Sequence, residues 1–391
     1  MKEGKLDADI RRRKAKVYKE NNDVVKKKVN EDTKKKNGFA ELAKVFALPL
    51  FMCSVVFVAL YYQYGIYIFM SSAMKEANLS EKEVEVAVSN HTFLFVGGPH
   101  RGGTTILWQC LREHPAISGF GDRVGADASE GIFIQSVFPQ FGIGAEINSA
   151  KMATQQTRTL AMKGLGQYAF NPEAHMTEDH YLVTLPWRRK LFNQWAYFWD
   201  LEKPVLLEKS PTTMVYSRFI QAMFTSSLDF SNDPTSANFV FITRHPLANA
   251  YAHKTWTACA SMTNFELVLH WVISHEIMIE DIEQIKHFKF IQFEEFARKP
   301  QETVNEIYDW VGHRPNELTI PIKNNTNEKY EATYCKELLA SKSNFKKHQR
   351  LVSKLGERIL KLGYNLNDFG ICQIHEDSVT FKGNKVSIDI N

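Results

Sequence analysis

Cysteine is scarce in this chain, with 5 among 391 residues, and none falls in a C-x-x-C pair or at a His/Cys ligand spacing. That pattern excludes a small disulfide-built scaffold and gives no footing for a metal site. Net charge is scarce too: 48 Lys and Arg against 44 Asp and Glu leave only +4. No internal repeat appears, and no low-complexity segment lies beyond the basic start. Hydrophobic content of 44% and charged content of 24% are ordinary for a globular protein.

The small net charge hides an uneven distribution. Residues 1–44 carry 15 Lys/Arg and 8 Asp/Glu, a tail of +7, while the remainder has 33 basic and 36 acidic residues. A basic tail on a slightly acidic body reads as an address or membrane-surface feature, not as a nucleic-acid domain. An uncharged run follows from Val45 to Met74, long enough to cross a bilayer at ~1.5 Å per helical residue. Tyr61, Tyr62, Tyr64 and Tyr67 crowd its far end as an interfacial aromatic belt. The run is too long, and its basic preface too extended, for a cleaved signal peptide. The positive-inside rule then predicts type II topology, with residues beyond about 75 in a lumen.

Four regions follow: a basic cytosolic tail at 1–44, a transmembrane signal anchor at 45–74, a polar stem at 75–91, and a lumenal domain at 92–391. Asn78, Asn90 and Asn324 begin Asn-X-Ser/Thr sequons, as expected of a lumenal glycoprotein. In an oxidising lumen one or two disulfides become possible, and Cys335 with Cys372 is the pair expected; Cys110 is expected to pack. From Phe93 onward, strand candidates at 93–96, 204–207, 239–242 and 288–291 alternate with helical stretches at 104–113, 212–224, 247–257, 265–285, 301–311 and 351–362. This alternation predicts an α/β fold, a central parallel sheet with helices on both faces. Ligands in such sheets bind at the carboxyl ends of strands.

The most informative stretch is Thr92 to Thr105, TFLFVGGPHRGGTT. An apolar strand runs into a glycine loop and then a helix, which converges backbone N–H groups on an anion. The spacing Gly98 to Gly103 is that of a Walker A loop, but Thr104 stands where the lysine belongs. A nucleoside triphosphate needs that lysine and a metal. A loop with Arg101 in its turn instead suits a smaller anion.

The run PHRGGTTILWQCLREHPAI resembles the phosphosulfate loop of the sulfotransferases that use 3′-phosphoadenosine 5′-phosphosulfate (PAPS), as in tyrosylprotein and many carbohydrate sulfotransferases. The resemblance spans roughly residues 92–365. It implies that Arg101 contacts the sulfuryl group and that Gly102, Gly103, Thr104 and Thr105 bind the 5′ phosphosulfate, Gly102 replacing the usual serine. Arg244, ending FVFITRHP, looks like the family's 3′-phosphate arginine. The serine the family carries eight residues on is Ala252 here, so His253 or Lys254 would substitute. Lys209 in LLEKSP resembles the family's lysine at the reacting group. The general base falls in the segment after His114-Pro115, with Asp122, Asp127 and Glu130 as options. An ungapped match favours Asp122, and a Glu-Gly-aromatic-Gln pattern favours Glu130. His100 and His114 rank lower as bases.

On the acceptor side Trp195, Trp199, Trp256 and Trp271 would stack on sugar rings or fill the core. Arg188, Arg189 and Lys190 would touch an anionic acceptor or, more simply, form a solvated face. The expectation is therefore a Golgi-membrane sulfotransferase that uses PAPS and no metal. Its acceptor is carbohydrate, with a tyrosyl protein next and a homodimer left open. A nucleotide kinase and a degenerate, non-catalytic nucleotide fold are the competing readings.

Overall fold

The computed structural model describes residues 74–121, 129–139, 168–225, 237–256 and 259–388. The expected transmembrane run therefore lies, except for Met74, outside the described residues. Among those described, no helix is long and apolar enough to cross a membrane.

The stem is more than a polar spacer. Helix α1 (Glu81–Asn90) begins on a capping box in which Ser80 and Glu83 satisfy each other's backbone N–H groups. It buries Val84 and Val88, and the residues before it are tied down: Asn193 accepts from the Ala77 N–H (3.0 Å) through its backbone and from the Leu79 N–H through its side chain (2.5 Å). Asn78, Asn90 and Asn324 are all exposed.

The chain then alternates: β1 (Thr92–Gly97), α2 (Thr104–Leu111), β2 (Ile117–Gly119), α3 (Leu185–Ala196), β3 (Val205–Lys209), α4 (Ser217–Met223), β4 (Ala237–Thr243), α5 (Pro246–His253), α6 (Asn264–Ile282) and β5 (Phe288–Gln292). Two helices, α7 (Phe293–Arg298) and α8 (Pro300–Trp310), complete this part. The five strands form one parallel sheet in the order β2-β3-β1-β4-β5. From Phe93 to Val96 the central strand is apolar because both its faces are covered. Phe93 and Phe95 join Leu206, Phe239, Phe241, Trp195 and Phe224 on one face. Leu94 and Val96 join Leu207, Val240, Ile242 and the α2, α7 and α8 side chains on the other. The α/β class with helices on both faces is thus as the alternation implied.

Helices α9 (Glu328–Ala340) and α10 (Lys342–Lys361) pack on α5 and α6 around a separate apolar cluster. A small antiparallel sheet closes the described chain, made of β6 (Asp368–Phe369), β7 (Cys372–Ile374), β8 (Ser378–Phe381) and β9 (Asn384–Ser387). A disulfide links Cys335 of α9 to Cys372 of β7, and Cys110 and Cys259 are buried thiols outside it.

The basic triplet 188–190 is not a uniform solvated face. Arg188 is buried and donates to the Ala222 carbonyl at 3.0 Å, Arg189 donates to the Leu79 carbonyl at 3.0 Å, and Lys190 lies over the Trp187 ring. Trp195, Trp199 and Trp271 are core residues, and only Trp256 of the four tryptophans is partly exposed.

Candidate active site

Strand β1 lies where the connections change direction, with β3 on one side and β4 on the other. Its register sets Val96 beside Lys209 and Gly97 beside Phe241, so the loop after β1, Lys209 and Arg244 meet at one sheet edge. Such a switch point is where parallel sheets bind ligands.

The loop turns tightly, with the Gly102 N–H donating to the Pro99 carbonyl at 2.8 Å. Gly103, at φ 112°, is the N-cap of α2, and a Cβ there would lie 2.5 Å from the Phe293 ring. No side chain caps this helix end, so its first N–H groups keep their capacity for an anion. Arg101 is exposed at φ 62°; its Nη2 donates to Thr255 Oγ1 at 3.4 Å, and its guanidinium lies over the Trp256 ring at 5.5 Å. Thr104 is buried and Thr105 exposed.

Lys209 is wholly buried at the end of β3. Its ammonium donates to Glu130 Oε1 at 2.8 Å and reaches Thr105 Oγ1 at 3.4 Å. Glu130 is held there by its neighbours. The Gly131 N–H donates to Glu208 Oε1 at 2.8 Å, the Ile132 N–H to Ser210 Oγ at 3.1 Å, and Trp195 Nε1 to the Gly131 carbonyl at 3.0 Å. Glycine is required at 131, since a Cβ would stand 2.6 Å from Glu208 Oε1. Gln135 staples the next turn, donating to the carbonyls of Ile132 and Phe138 and accepting from the N–H groups of Val137 and Phe138. Burial pushes the Glu130 carboxyl above its ordinary range, opposed by the Lys209 charge. Burial likewise pushes Glu208 up to about 7. Asp122 and Asp127 lie outside the described residues, so of the carboxylates read from sequence Glu130 is the one the structure brings to Lys209.

Arg244 is buried, and much of its fork is already used. Nε and Nη2 donate to Asn327 Oδ1 at 2.8 and 2.6 Å, and Nη1 donates to the Arg101 carbonyl at 2.9 Å. Five N–H donors minus three leave two for a ligand. Glu294 orients this network by accepting from Asn327 Nδ2 (2.7 Å) and the His245 N–H (2.9 Å). Asn249 Nδ2 holds the His100 carbonyl at 2.8 Å, so the carbonyls of His100 and Arg101 are both fixed by side chains.

His253 is differently placed from the donor that sequence suggested. Its Nδ1 donates to the Asn249 carbonyl at 3.0 Å, which leaves Nε2 as a lone-pair acceptor, buried and without a partner among the described residues. Burial drives its pKa down to about 4, so the ring is neutral and offers a phosphate no proton. Ala252 is buried in the α5 core, and the nearby hydroxyl is Thr255 Oγ1, which donates to the Ala252 carbonyl at 2.7 Å. His114 is structural: Nδ1 accepts from the Ala116 N–H and Nε2 donates to the Arg314 carbonyl.

Sequence reading missed Asn249, Glu294 and Asn327, and gave Glu208 and Ser210 no role. Their polarity is unremarkable in isolation; only long-range packing gives each a partner. Among the described residues no group of His, Cys, Asp and Glu could hold a metal. The assembled chemistry is an uncapped helix N-terminus ringed by Arg101, Lys209 and Arg244, with one carboxylate beside the lysine. It can hold a compact multiply charged anion and accept a proton next to it.

Comparison with known proteins agrees on the family. A model described as the Sulfotransferase family matches residues 94–316, more than half of the chain. No curated protein matches the sequence. Three solved structures are similar. The sulfotransferase domain of the Synechococcus PCC 7002 olefin synthase has 15% identity over 58% of this chain and 75% of that one, with a TM-score of 0.34. Sulfotransferase STF1 from Mycobacterium tuberculosis has 14% identity over 71% and 75%, with a TM-score of 0.35. Sulfotransferase STF9 from Mycobacterium avium has 15% identity over 62% and 68%, with a TM-score of 0.32.

Proposed function

The chain belongs to the sulfotransferase family, and from that premise we propose that it moves the sulfuryl group of PAPS to a carbohydrate hydroxyl. It would do so in the Golgi lumen, from a type II membrane anchor. One observation carries the catalytic part: the Lys209 ammonium sits between Thr105 Oγ1 and Glu130 Oε1. A single buried cation thus joins the helix end that would take the phosphosulfate to a carboxylate able to act as base.

PAPS would supply an activated sulfuryl group and a phosphate leaving group. The N–H groups of Gly103, Thr104 and Thr105 would hold the 5′ phosphosulfate against the helix dipole. The two remaining Arg244 N–H donors would take the 3′ phosphate. Arg101, exposed over Trp256, would cover the sulfuryl oxygens. Glu130 would accept the acceptor hydroxyl's proton as the new O–S bond forms, while Lys209 balances charge on the departing phosphate oxygen. A carboxyl raised by burial suits a base working near neutral pH. The cations already at hand leave no step that calls for a metal.

The membrane and Golgi parts are supported by the basic tail, the uncharged run before the domain, and three exposed sequon asparagines. A tyrosyl acceptor is the second reading, because the loop resembles that branch equally. Full-length protein in detergent, given sulfur-labelled PAPS with mixed glycans or with tyrosine peptides, separates the two. Label in glycan supports the proposal, and label in peptide alone replaces the acceptor. Magnesium-dependent turnover of ATP without sulfate transfer would refute the activity altogether.

A further inference from the structure

Apart from the reacting groups, Lys254 at the C-terminal end of α5 and residues of α6, α9 and α10 line a cavity of about 470 Å³, within the range of small-molecule sites. Its lining includes Lys254, Asn264, Phe265, Glu337, Lys347 and Arg350. Lys347 and Arg350 are three apart on α10 and share a face. Burial holds the Lys254 ammonium below the usual lysine range; Glu337 opposes that shift and Lys347 adds to it. Three cations therefore face one carboxylate, and Glu337 already accepts the Tyr251 hydroxyl. Among the described residues, none of the three cations comes within ion-pair distance of a carboxylate; Lys347 reaches only Asn344 Oδ1 at 3.4 Å. Cations that outnumber their counter-charge repel one another, and an anion between them relieves that cost.

Two features narrow the anion. Asn264 Oδ1 is buried and has no partner among the described residues, an acceptor open to a donor such as a hydroxyl. The Phe265 ring is 37% exposed and offers an apolar face. Inorganic phosphate would answer the charge alone. A sugar bearing a carboxylate or sulfate answers all three, with anion, hydroxyl donors and a C–H face for the ring. One lining residue is a sequence neighbour of a contact of the reacting loop. Lys254 is bonded to Thr255, whose Oγ1 lies 3.4 Å from Arg101 Nη2, and neighbouring Cα atoms are only ~3.8 Å apart.

We infer that this cavity is a subsite for an anionic sugar unit of the acceptor, so that the enzyme acts on chains carrying uronate or sulfate close to the hydroxyl modified. The inference rests on the carbohydrate reading above. It is tested by calorimetry on the full-length protein in detergent, titrated with a chondroitin hexasaccharide and with neutral chitohexaose, each with and without adenosine 3′,5′-bisphosphate. Lys347 and Arg350 are exposed, so the double change Lys347→Ala/Arg350→Ala leaves the fold intact.

The expected result is chondroitin binding that is at least about tenfold tighter than chitohexaose and weakens at least about tenfold in the double variant. Salt should weaken it in the wild type more than in the variant, and bisphosphate affinity should not change. Equal binding of the neutral oligosaccharide, equal binding by the variant, or displacement of chondroitin from the wild type alone by an oligoglutamate peptide at lower concentration would overturn it. Bisphosphate binding is scored separately, so its failure in the wild type sinks the donor reading and not the cavity.

Discussion

Replacing Lys209 by methionine keeps most of the side chain's length and removes its charge. In the wild type the ammonium is 0% exposed and lies 2.8 Å from a carboxylate that is itself 7% exposed. Removing one partner of such a pair leaves the other charge buried alone, at a cost of about 3–5 kcal/mol. The cost has a pH signature. Glu130 already sits above its ordinary range through burial, with Lys209 pulling it down; without Lys209 it rises further. A carboxyl raised in the folded state binds a proton that the unfolded chain releases, so its contribution is complete below the unfolded value and is lost as pH rises through the folded one. Lys209→Met should therefore be severely destabilised at pH 8 and largely recovered near pH 5. Adding Glu130→Leu should restore stability at pH 8, because an apolar pair of similar volume is often neutral or better than a buried ion pair. Turnover should stay at least about a hundredfold down in all of these variants. Urea unfolding at both pH values, with sulfate transfer measured in parallel, decides the matter. A loss below about 1 kcal/mol at pH 8, or one that persists unchanged at pH 5, would refute the buried-pair reasoning.

Arg244→Lys should lose the fork on Asn327 and the hold on the Arg101 carbonyl. Calorimetry should then find adenosine 3′,5′-bisphosphate bound at least about tenfold more weakly, and an unchanged affinity would remove Arg244 from the nucleotide site. Arg188→Ala should cost about 2 kcal/mol in urea unfolding, by emptying buried side-chain volume and removing one of two side-chain donors to the Ala222 carbonyl, which keeps Thr225 Oγ1 at 3.1 Å. Lys190→Ala should stay within about 0.5 kcal/mol, and the reverse order would restore the triplet as a surface feature. Glu208, raised to about 7 from 4.5, stabilises fully below pH 4.5 and less as pH climbs through 7. Glu208→Gln should flatten that decline by about 2.5 kcal/mol, as read from unfolding free energies at pH 5 and 8, and parallel curves for the two proteins would contradict it.

The middle of the sheet was legible because β1, β3 and β4 are buried on both faces. Phe93 to Val96 and Phe239 to Ile242 are apolar without interruption, and no alternative element fits runs so short between glycine and arginine. The loop was legible for a chemical reason, since Gly98, Gly103 and the missing lysine at Thr104 define an anion cradle locally. Strand β2 escaped because three residues carry no period. The closing sheet escaped because its strands are two to four residues long and half polar. Helix α1 escaped because only Val84 and Val88 mark its buried face among glutamates. Arg188 was misjudged because a basic triplet looks the same in sequence whether one member turns inward or not. Asn327 and Glu294 acquire their meaning only when α9 and α7 come beside Arg244. His253 was assigned a donor's part from position alone; the Asn249 carbonyl that fixes its tautomer belongs to a helical turn that sequence cannot orient.

A structure of the protein with adenosine 3′,5′-bisphosphate bound tests the central claim most directly. The 5′ phosphate should lie on the Gly103 to Thr105 amides, with the Lys209 ammonium within about 3 Å of it and Glu130 still beside that lysine. A nucleotide seated elsewhere, or a 5′ phosphate that Lys209 does not reach, would contradict it.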